Sequence, residues 1–203
     1  VRDAISGIWY NAKKLGINSL GSFAILKLNL FFVGLFLPLS VVGSFGILTQ
    51  VIPTLSGLAT ALFNSYQPKL SSLQVVHNNE EITKRLSITV VVYWIIMIFG
   101  GLAIVLLLPW ILDLIGSNAE VPSMLISISY LIVMTLEGNH SIFAMVIVTA
   151  NKVPFVKAGL ISGMLIGVLI YLSLRFTTLG LLGVVLAQGF VQLAYNNWRW
   201  PKY

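Results

Sequence analysis

The chain has 203 residues, of which 58% are hydrophobic and only 9% are charged, and its mean hydropathy is +0.96. Soluble domains carry roughly a quarter charged residues, so this composition excludes a soluble monomer and an intrinsically disordered chain. No cysteine is present, which excludes disulfides and thiolate metal sites. These proportions predict an all-α integral membrane protein whose surroundings are the lipid bilayer.

The first third of the chain is uncharged over residues 28–68, which is too long for one membrane-spanning helix. A span needs about 20 apolar residues to cross a hydrocarbon core about 30 Å thick. We therefore predict, in chain order, a cytoplasmic N-terminal segment over 1–14, a span over 15–37, a turn at 38–40 and a span over 41–67. This assignment places Lys27 inside the membrane. The alternative starts the first span at Lys27 and compresses two helices into the residues that remain.

Four later runs with few or no charges satisfy the same length criterion. They predict spans over 87–112, 122–149, 155–174 and 177–198, followed by a cytoplasmic tail over 199–203. Between the second and third spans, residues 69–86 mix apolar with charged side chains, which is typical of an amphipathic helix at the membrane surface. The sequence thus predicts six transmembrane helices joined by one longer cytoplasmic linker.

Lysine and arginine residues are distributed unevenly between the two sides of this predicted topology. Ten of the twelve fall on one side, Arg175 alone falls on the other, and Lys27 lies within a span. Cytoplasmic loops are enriched in Lys and Arg, so the pattern predicts a multi-pass protein with both termini in the cytoplasm. The net charge of +6 therefore reflects membrane topology, and we expect no nucleic-acid partner.

Glu137 and His140 lie one helical turn apart on the same face of the predicted span over 122–149. A charge at the membrane centre costs about 2.5 to 3.5 kcal/mol, so one that is retained usually faces protein or a water-filled cavity. The pair is a candidate ion-coupling site that carries a proton or coordinates a cation. The alternative interpretation is a hydrogen-bonded cluster that fixes helix packing.

Lys27 is the second candidate charge within the bilayer. Asn18, Ser22 and Asn29 form a polar stripe on nearly the opposite face of the same predicted helix, so both faces cannot line one cavity in an unbroken helix. If Lys27 faces the cavity, it attracts an anionic headgroup. Otherwise its long side chain snorkels toward a membrane surface.

Two predicted spans carry polar residues at helical spacing. The second span carries Gln50, Thr54, Gly57, Ala61 and Asn64, and the last carries Gln188, Gln192 and Asn196. Amides donate and accept hydrogen bonds without burying a charge, which suits a path for sugar hydroxyls. Gln50, Asn64, Gln188 and Gln192 are therefore candidate substrate-pathway residues. The alternative is that these amides bond one helix to another.

Other patterns indicate packing or exclude chemistry. Gly159, Gly163 and Gly167 repeat every four residues, a spacing that lets helix backbones approach closely in lipid. The sequence contains no nucleotide-binding Walker motif and no zinc-binding HExxH motif, so we expect neither a metal nor a cofactor. No predicted outer loop is long enough to hold the active site of a membrane glycosyltransferase, and we therefore expect that the chain is not an enzyme.

Two stretches carry a family resemblance, GLATALFNSYQPKLSSLQVVHNNEEITKRLSITVVVYW at 57–94 and HSIFAMVIVTANKVPFVKAGLISGMLIGVLIYLSLRFTTLGLLGVVLAQGF at 140–190. Both resemble polysaccharide-export flippases of the multidrug, oligosaccharidyl-lipid and polysaccharide superfamily. Pro68 matches the proline that closes a helix in that family, and Asn151 matches its asparagine-containing cytoplasmic turn. The most similar type is the O-antigen flippase, and the resemblance extends from about residue 14 to the end.

The resemblance implies a lobe of six helices, the second of two that surround a central cavity. It implies transport of undecaprenyl-pyrophosphate-linked oligosaccharide across the bacterial inner membrane by alternating access. The partner of such a lobe is an N-terminal lobe or a second copy of the chain. On this basis Lys27 attracts the pyrophosphate, and protonation or cation binding at Glu137 couples transport to an ion gradient.

Two other function classes stay open on the sequence. An ion-coupled exporter of drugs or metabolites from the same superfamily shares the lobe and differs in the chemistry of its cavity. A membrane enzyme of lipid-linked sugar metabolism is the third class. Dye export by cells favours the exporter, whereas turnover of a lipid-linked sugar in detergent favours the enzyme.

Overall fold

The computed structural model describes residues 2–117 and 119–203, and within the first helix it describes side chains at 9, 12–14, 16, 17, 19–23, 25 and from 27 onward. The described residues form helices and no strand. The helices are α1 Arg2–Phe36, α2 Leu39–Ala59, α3 Ala61–Val75, α4 Asn79–Ile95, α5 Gly101–Leu114, α6 Met124–Thr149, α7 Val156–Phe176, α8 Gly180–Ala194 and α9 Asn196–Arg199. A π-helical turn over Ile96–Gly100 joins α4 to α5.

Five described helical segments are long and apolar enough to cross a membrane. They are Ala12–Phe36, Leu39–Ala59, Asn79–Leu114, Met124–Thr149 and Val156–Phe176. The segment predicted as a non-membrane N-terminus belongs to the structure's first helix, because α1 is helical from Arg2 onward. The all-helical class agrees with the sequence prediction. The five candidate spans are compatible with a multi-pass membrane protein, whereas the sequence predicted six.

The predicted last span, 177–198, is interrupted in the structure. α8 ends at Ala194 after 15 residues, which is about 22 Å and shorter than a hydrocarbon core of about 30 Å. Tyr195 leaves helical geometry with φ −144° and ψ −58°, and the short α9 follows. The break turns Asn196 inward, where its side chain hydrogen-bonds to Ser162 and Gln192. Side-chain hydrogen bonds thus compete with continuation of the helix.

The predicted surface helix over 69–86 does not form as a separate element. α3 instead runs through Pro68 to Val75, and α4 begins at Asn79. His77 takes a left-handed backbone conformation with φ 54°, and the Asn78 side chain accepts a hydrogen bond from the amide of Glu81. An asparagine followed three residues later by glutamate is a helix-start pattern, so this boundary was present in the sequence. The preceding helix is interrupted at Thr60, and α2 continues through Pro53.

Short connections reverse the chain after each long helix, which places alternate connections at opposite ends of the bundle. We call one end the basic end: it contains the connections 76–78 and 150–155 and the residues after α9. Nearby basic residues are Lys69, Lys84, Arg85, Lys152, Lys157, Arg199 and Lys202. The opposite end contains the connections 37–38, 115–123 and 177–179 and has Arg175 as its nearby basic residue in the described chain. Which end faces the cytoplasm stays a prediction.

The bundle is organised around α6, which packs against α2, α3, α4, α5, α8 and α9. α1 packs along α7 and also contacts α2 and α8. A Cβ atom placed on Gly21 of α1 would lie 2.9 Å from the backbone carbon of Gly159 in α7, so the two backbones touch there. Gly167 similarly faces Leu28 of α1. The predicted close approach of helix backbones is confirmed at Gly159, whereas Gly167 leaves room for the side chains of Leu28 and Phe32 of α1.

Candidate functional site

The structure brings four of the seven predicted site residues into the interior. Glu137 and His140 of α6 meet Gln192 of α8, and Gln188 lies one turn from Gln192 on the same buried face. The remaining three predicted residues, Lys27, Gln50 and Asn64, have exposed side chains and lie on other surfaces.

The centre of the buried cluster is the pair formed by Glu137 and His140. The Nε2 atom of His140 lies 3.6 Å from Oε1 of Glu137, and the two side chains are only 9% and 14% exposed. This distance suits an ion pair but exceeds a direct hydrogen bond. The Nδ1 atom of His140 lies 2.8 Å from Oδ1 of Asn197, and because an amide oxygen accepts, the tautomer with hydrogen on Nδ1 satisfies this contact.

A chain of side-chain hydrogen bonds ends on the other oxygen of Glu137. Trp200 Nε1 donates to Asn196 Oδ1 at 3.0 Å, Asn196 Nδ2 donates to Gln192 Oε1 at 2.6 Å, and Gln192 Nε2 donates to Glu137 Oε2 at 2.6 Å. Every link has its donor directed toward the carboxylate. Hydrogen bonds in series polarise one another, so these donors offset part of the cost of burying a negative charge on Glu137.

The cluster lines a cavity of about 180 Å³ between α1, α6, α7 and α8. Its polar lining is supplied by Ser22, Glu137, His140, Ser141, Gln192 and Asn196. Glu137 and His140 are the titratable groups of that lining in the described part of the chain. The volume is sufficient for several water molecules or for a small hydrated cation.

One member of the predicted polar stripe of α1, Asn29, faces inward, opposite to Lys27. Asn29 is buried and donates from Nδ2 to Oε1 of Gln188 at 2.5 Å, which ties α1 to α8. Ser22 lines the cavity, whereas the side chain of Asn18 lies outside the described residues. Because Lys27 is two residues from Asn29, it projects from the opposite, exposed face of the helix.

The predicted stripe of α2 and α3 is exposed along its whole length. Its members Gln50, Thr54, Gly57, Ala61 and Asn64 all have exposed side chains or backbone. Gln50 and Thr54 line a shallow groove with Leu58 and Ile104. Helical spacing of polar residues thus buries Gln192 in α8 but produces a polar outer face on α2 and α3.

Sequence reasoning did not assign Ser162, Asn197 or Trp200 to the site. Ser162 accepts a hydrogen bond from Asn196 at 2.9 Å, and Asn197 and Trp200 belong to the segment around the interrupted last helix. Trp200 is 5% exposed, and its buried indole N–H needs an acceptor, which Asn196 supplies. The sequence alone did not indicate this burial.

A second set of polar contacts fixes the rotation of α6 from its other side. The Tyr93 hydroxyl donates to the carbonyl oxygen of Thr135 at 2.9 Å, and its ring lies against Gly138. Trp94 donates from Nε1 to Oδ1 of Asn139 at 2.9 Å. These contacts hold α6 in the orientation that directs Glu137 toward α8.

A buried carboxylate beside an imidazole and a small polar cavity is suited to binding a proton or a monovalent cation. Three His, Cys, Asp or Glu side chains do not come together anywhere in the described ranges, so a multi-ligand transition-metal site is not formed there. Comparison of the chain with protein-family models, curated proteins and solved structures finds no match in any of the three.

Proposed function

We propose that this chain is one lobe of a membrane flippase that moves undecaprenyl-pyrophosphate-linked oligosaccharide across the bacterial inner membrane. The proposal rests on the resemblance of residues 57–94 and 140–190 to polysaccharide-export flippases and on the position of the polar residues in the fold. The lobe works by alternating access with an N-terminal lobe or a second copy.

The observation that carries the proposal is the exposed polar face of α2 and α3. Side chains that contact lipid tails are normally apolar, yet this face presents Gln50, Thr54 and Asn64 in one line. Such a face is stable in a membrane when it adjoins another polar surface or a water-filled path. Oligosaccharide hydroxyls are suitable partners, because amides and hydroxyls exchange hydrogen bonds in both directions.

Lys27 supplies the charge for the pyrophosphate. It precedes the turn at Pro38 by eleven residues and Gln50 follows that turn by twelve, so the two side chains lie at nearly the same depth. An exposed lysine at that depth pairs with an anionic group more favourably than with lipid tails.

Glu137 and His140 supply the coupling. With Nδ1 of His140 protonated toward Asn197, a proton on either His140 Nε2 or Glu137 Oε1 removes the repulsion between two facing lone pairs. Gain or loss of that proton, or its replacement by a cation, changes the charge between α6 and α8 and so biases the lobe between two arrangements.

The test is deletion of the gene in its host. We expect loss of surface glycan together with accumulation of lipid-linked oligosaccharide on the cytoplasmic face, both restored by the wild-type gene. Restoration by Gln50→Leu is expected to be weak, and restoration by Gln67→Leu, a change outside the stripe, is expected to be normal. If the deletion strain keeps its surface glycan but no longer exports a dye, the protein would instead be an exporter of small molecules.

A further inference from the structure

A groove with a volume of about 700 Å³ runs between α7 and α8 on the outer surface of the bundle. We call it the α7–α8 groove. Its walls contain the exposed apolar side chains of Ile161, Leu165, Leu169 and Phe190. The buried side chain of Val191 forms part of its floor. The groove is therefore an apolar cleft that opens onto the outer surface of the bundle.

The dimensions of the groove match one leaflet of a bilayer. Lys157, Ile161, Leu165 and Leu169 are spaced four residues apart and so follow one face of α7. From the first of these residues to the last, α7 rises about 18 Å, compared with about 15 Å for half of the hydrocarbon core. A single acyl chain fits this length and is apolar throughout.

The groove ends in a cationic and aromatic border at the basic end of the bundle. Lys157 is exposed at this border, and within the described chain it pairs with no carboxylate. Tyr195 and Trp200 meet edge to face there, with ring centroids 5.7 Å apart. Aromatic rings and lysines are the residues that occupy the membrane–water interface, so this border is at headgroup depth.

We propose that the α7–α8 groove is a binding site for an anionic glycerophospholipid of the leaflet at the basic end. One acyl chain lies along Ile161, Leu165 and Leu169, and the phosphate is placed beside Lys157. The charge complementarity selects this occupant: a neutral transmembrane helix gains nothing from Lys157, and a free phosphate gains nothing from the apolar walls. The groove lies on the face of α7 that points away from α1. Lipid binding there does not depend on the proposed transport.

Native mass spectrometry of the purified full chain, titrated with phosphatidylglycerol or phosphatidylcholine, tests the proposal. We expect tighter retention of phosphatidylglycerol by about fivefold, because one lysine near the surface contributes about 1 kcal/mol. Lys157→Gln removes this preference. Lys152→Gln, which deletes the same charge outside the groove at the same end, keeps it.

A second pair of variants tests the apolar part. Ala194→Phe places a ring in the groove and weakens phosphatidylglycerol binding about tenfold, since about two buried methylenes lose their contact. Ala103→Phe, at an exposed alanine of α5, leaves binding unchanged. Thermal unfolding of all four variants verifies that the helices remain folded.

Four results would overturn the proposal. They are equal retention of the two lipids, equal loss of the preference in Lys152→Gln and Lys157→Gln, normal binding by Ala194→Phe, and displacement of the lipid by glycerol phosphate. The second result would indicate diffuse surface charge, and the last would indicate a site for the headgroup alone.

Discussion

Glu137 is the residue on which the buried polar groups of α6, α8 and the last turn converge. One oxygen receives the hydrogen-bond chain that begins at Trp200, and the other faces His140. A carboxylate with these partners tolerates a position inside an apolar bundle that an unpartnered charge does not. The same position next to a small cavity also leaves it accessible to a proton or a cation.

Glu137→Gln tests the coupling role at this position. The amide oxygen of glutamine still accepts from Gln192, so folding is preserved, but the side chain no longer titrates. We expect transport measured in vesicles to lose its dependence on pH or on the cation gradient. Glu120→Gln, at an exposed position in the connection before α6, is the control and behaves like wild type. Gradient-dependent transport by Glu137→Gln would remove this residue from the mechanism.

Comparing Gln192→Leu with Gln50→Leu tests whether the buried amide contributes more stability than the exposed one. The change removes the hydrogen-bond donor to Oε2 of Glu137 and one of the two acceptors of Asn196 Nδ2, which keeps Ser162. We expect the buried Oε2 atom without a donor to lower the free energy of unfolding by about 1 to 3 kcal/mol. Gln50→Leu, on the exposed face of α2, changes stability by less than about 0.5 kcal/mol. Denaturant unfolding in detergent measures both. Equal effects would mean that the buried network contributes no stability.

At the scale of helices, close backbone contact decides which helices pair. Gly21 and Gly159 touch, and this contact holds α1 against α7. The π-helical turn before α5 has a related effect, because it places Gly100 against Leu55 of α2 and Gly101 against Leu131 of α6. In lipid, where apolar surface alone gives little preference between partners, such contacts select the neighbours.

Gly21→Ala tests the contact between α1 and α7. The added methyl group would lie 2.9 Å from the backbone of Gly159, so the helices must separate, and we expect a loss of about 1 to 3 kcal/mol in unfolding free energy. Gly34→Ala is the matched control in the same helix, since its Cβ meets nothing within 4 Å. Because alanine favours helix over glycine, this control is neutral or stabilising by up to about 1 kcal/mol. The same stability for both variants would contradict the close contact.

At the scale of the whole molecule, the alternation of connections predicts which residues are accessible from each side of a membrane. Since the chain contains no cysteine, single cysteines can be introduced without background labelling. Cysteines at His77 and Lys152 should react with an impermeant reagent from one side, and cysteines at Ser117 and Thr178 from the other. Reaction of His77 and Ser117 variants from the same side would disprove this alternation.

Composition and the spacing of apolar runs were sufficient to predict an all-helical chain with several helices long and apolar enough to cross a membrane, and to locate the starts or ends of several of them. These features depend on the length and hydrophobicity of each apolar segment, and both are local properties of the chain. The same reasoning identified Glu137 and His140, because a charge within an apolar run is visible without knowledge of its neighbours.

The tertiary structure decided which polar faces point inward. Gln50 and Gln192 belong to stripes with similar spacing, yet Gln50 is exposed and Gln192 is 1% exposed. A helix has its own periodicity, but the direction of each face depends on the helices packed around it. The break at Tyr195 likewise depends on Ser162 and His140, which lie far from Asn196 and Asn197 in sequence and meet them only after the helices have packed.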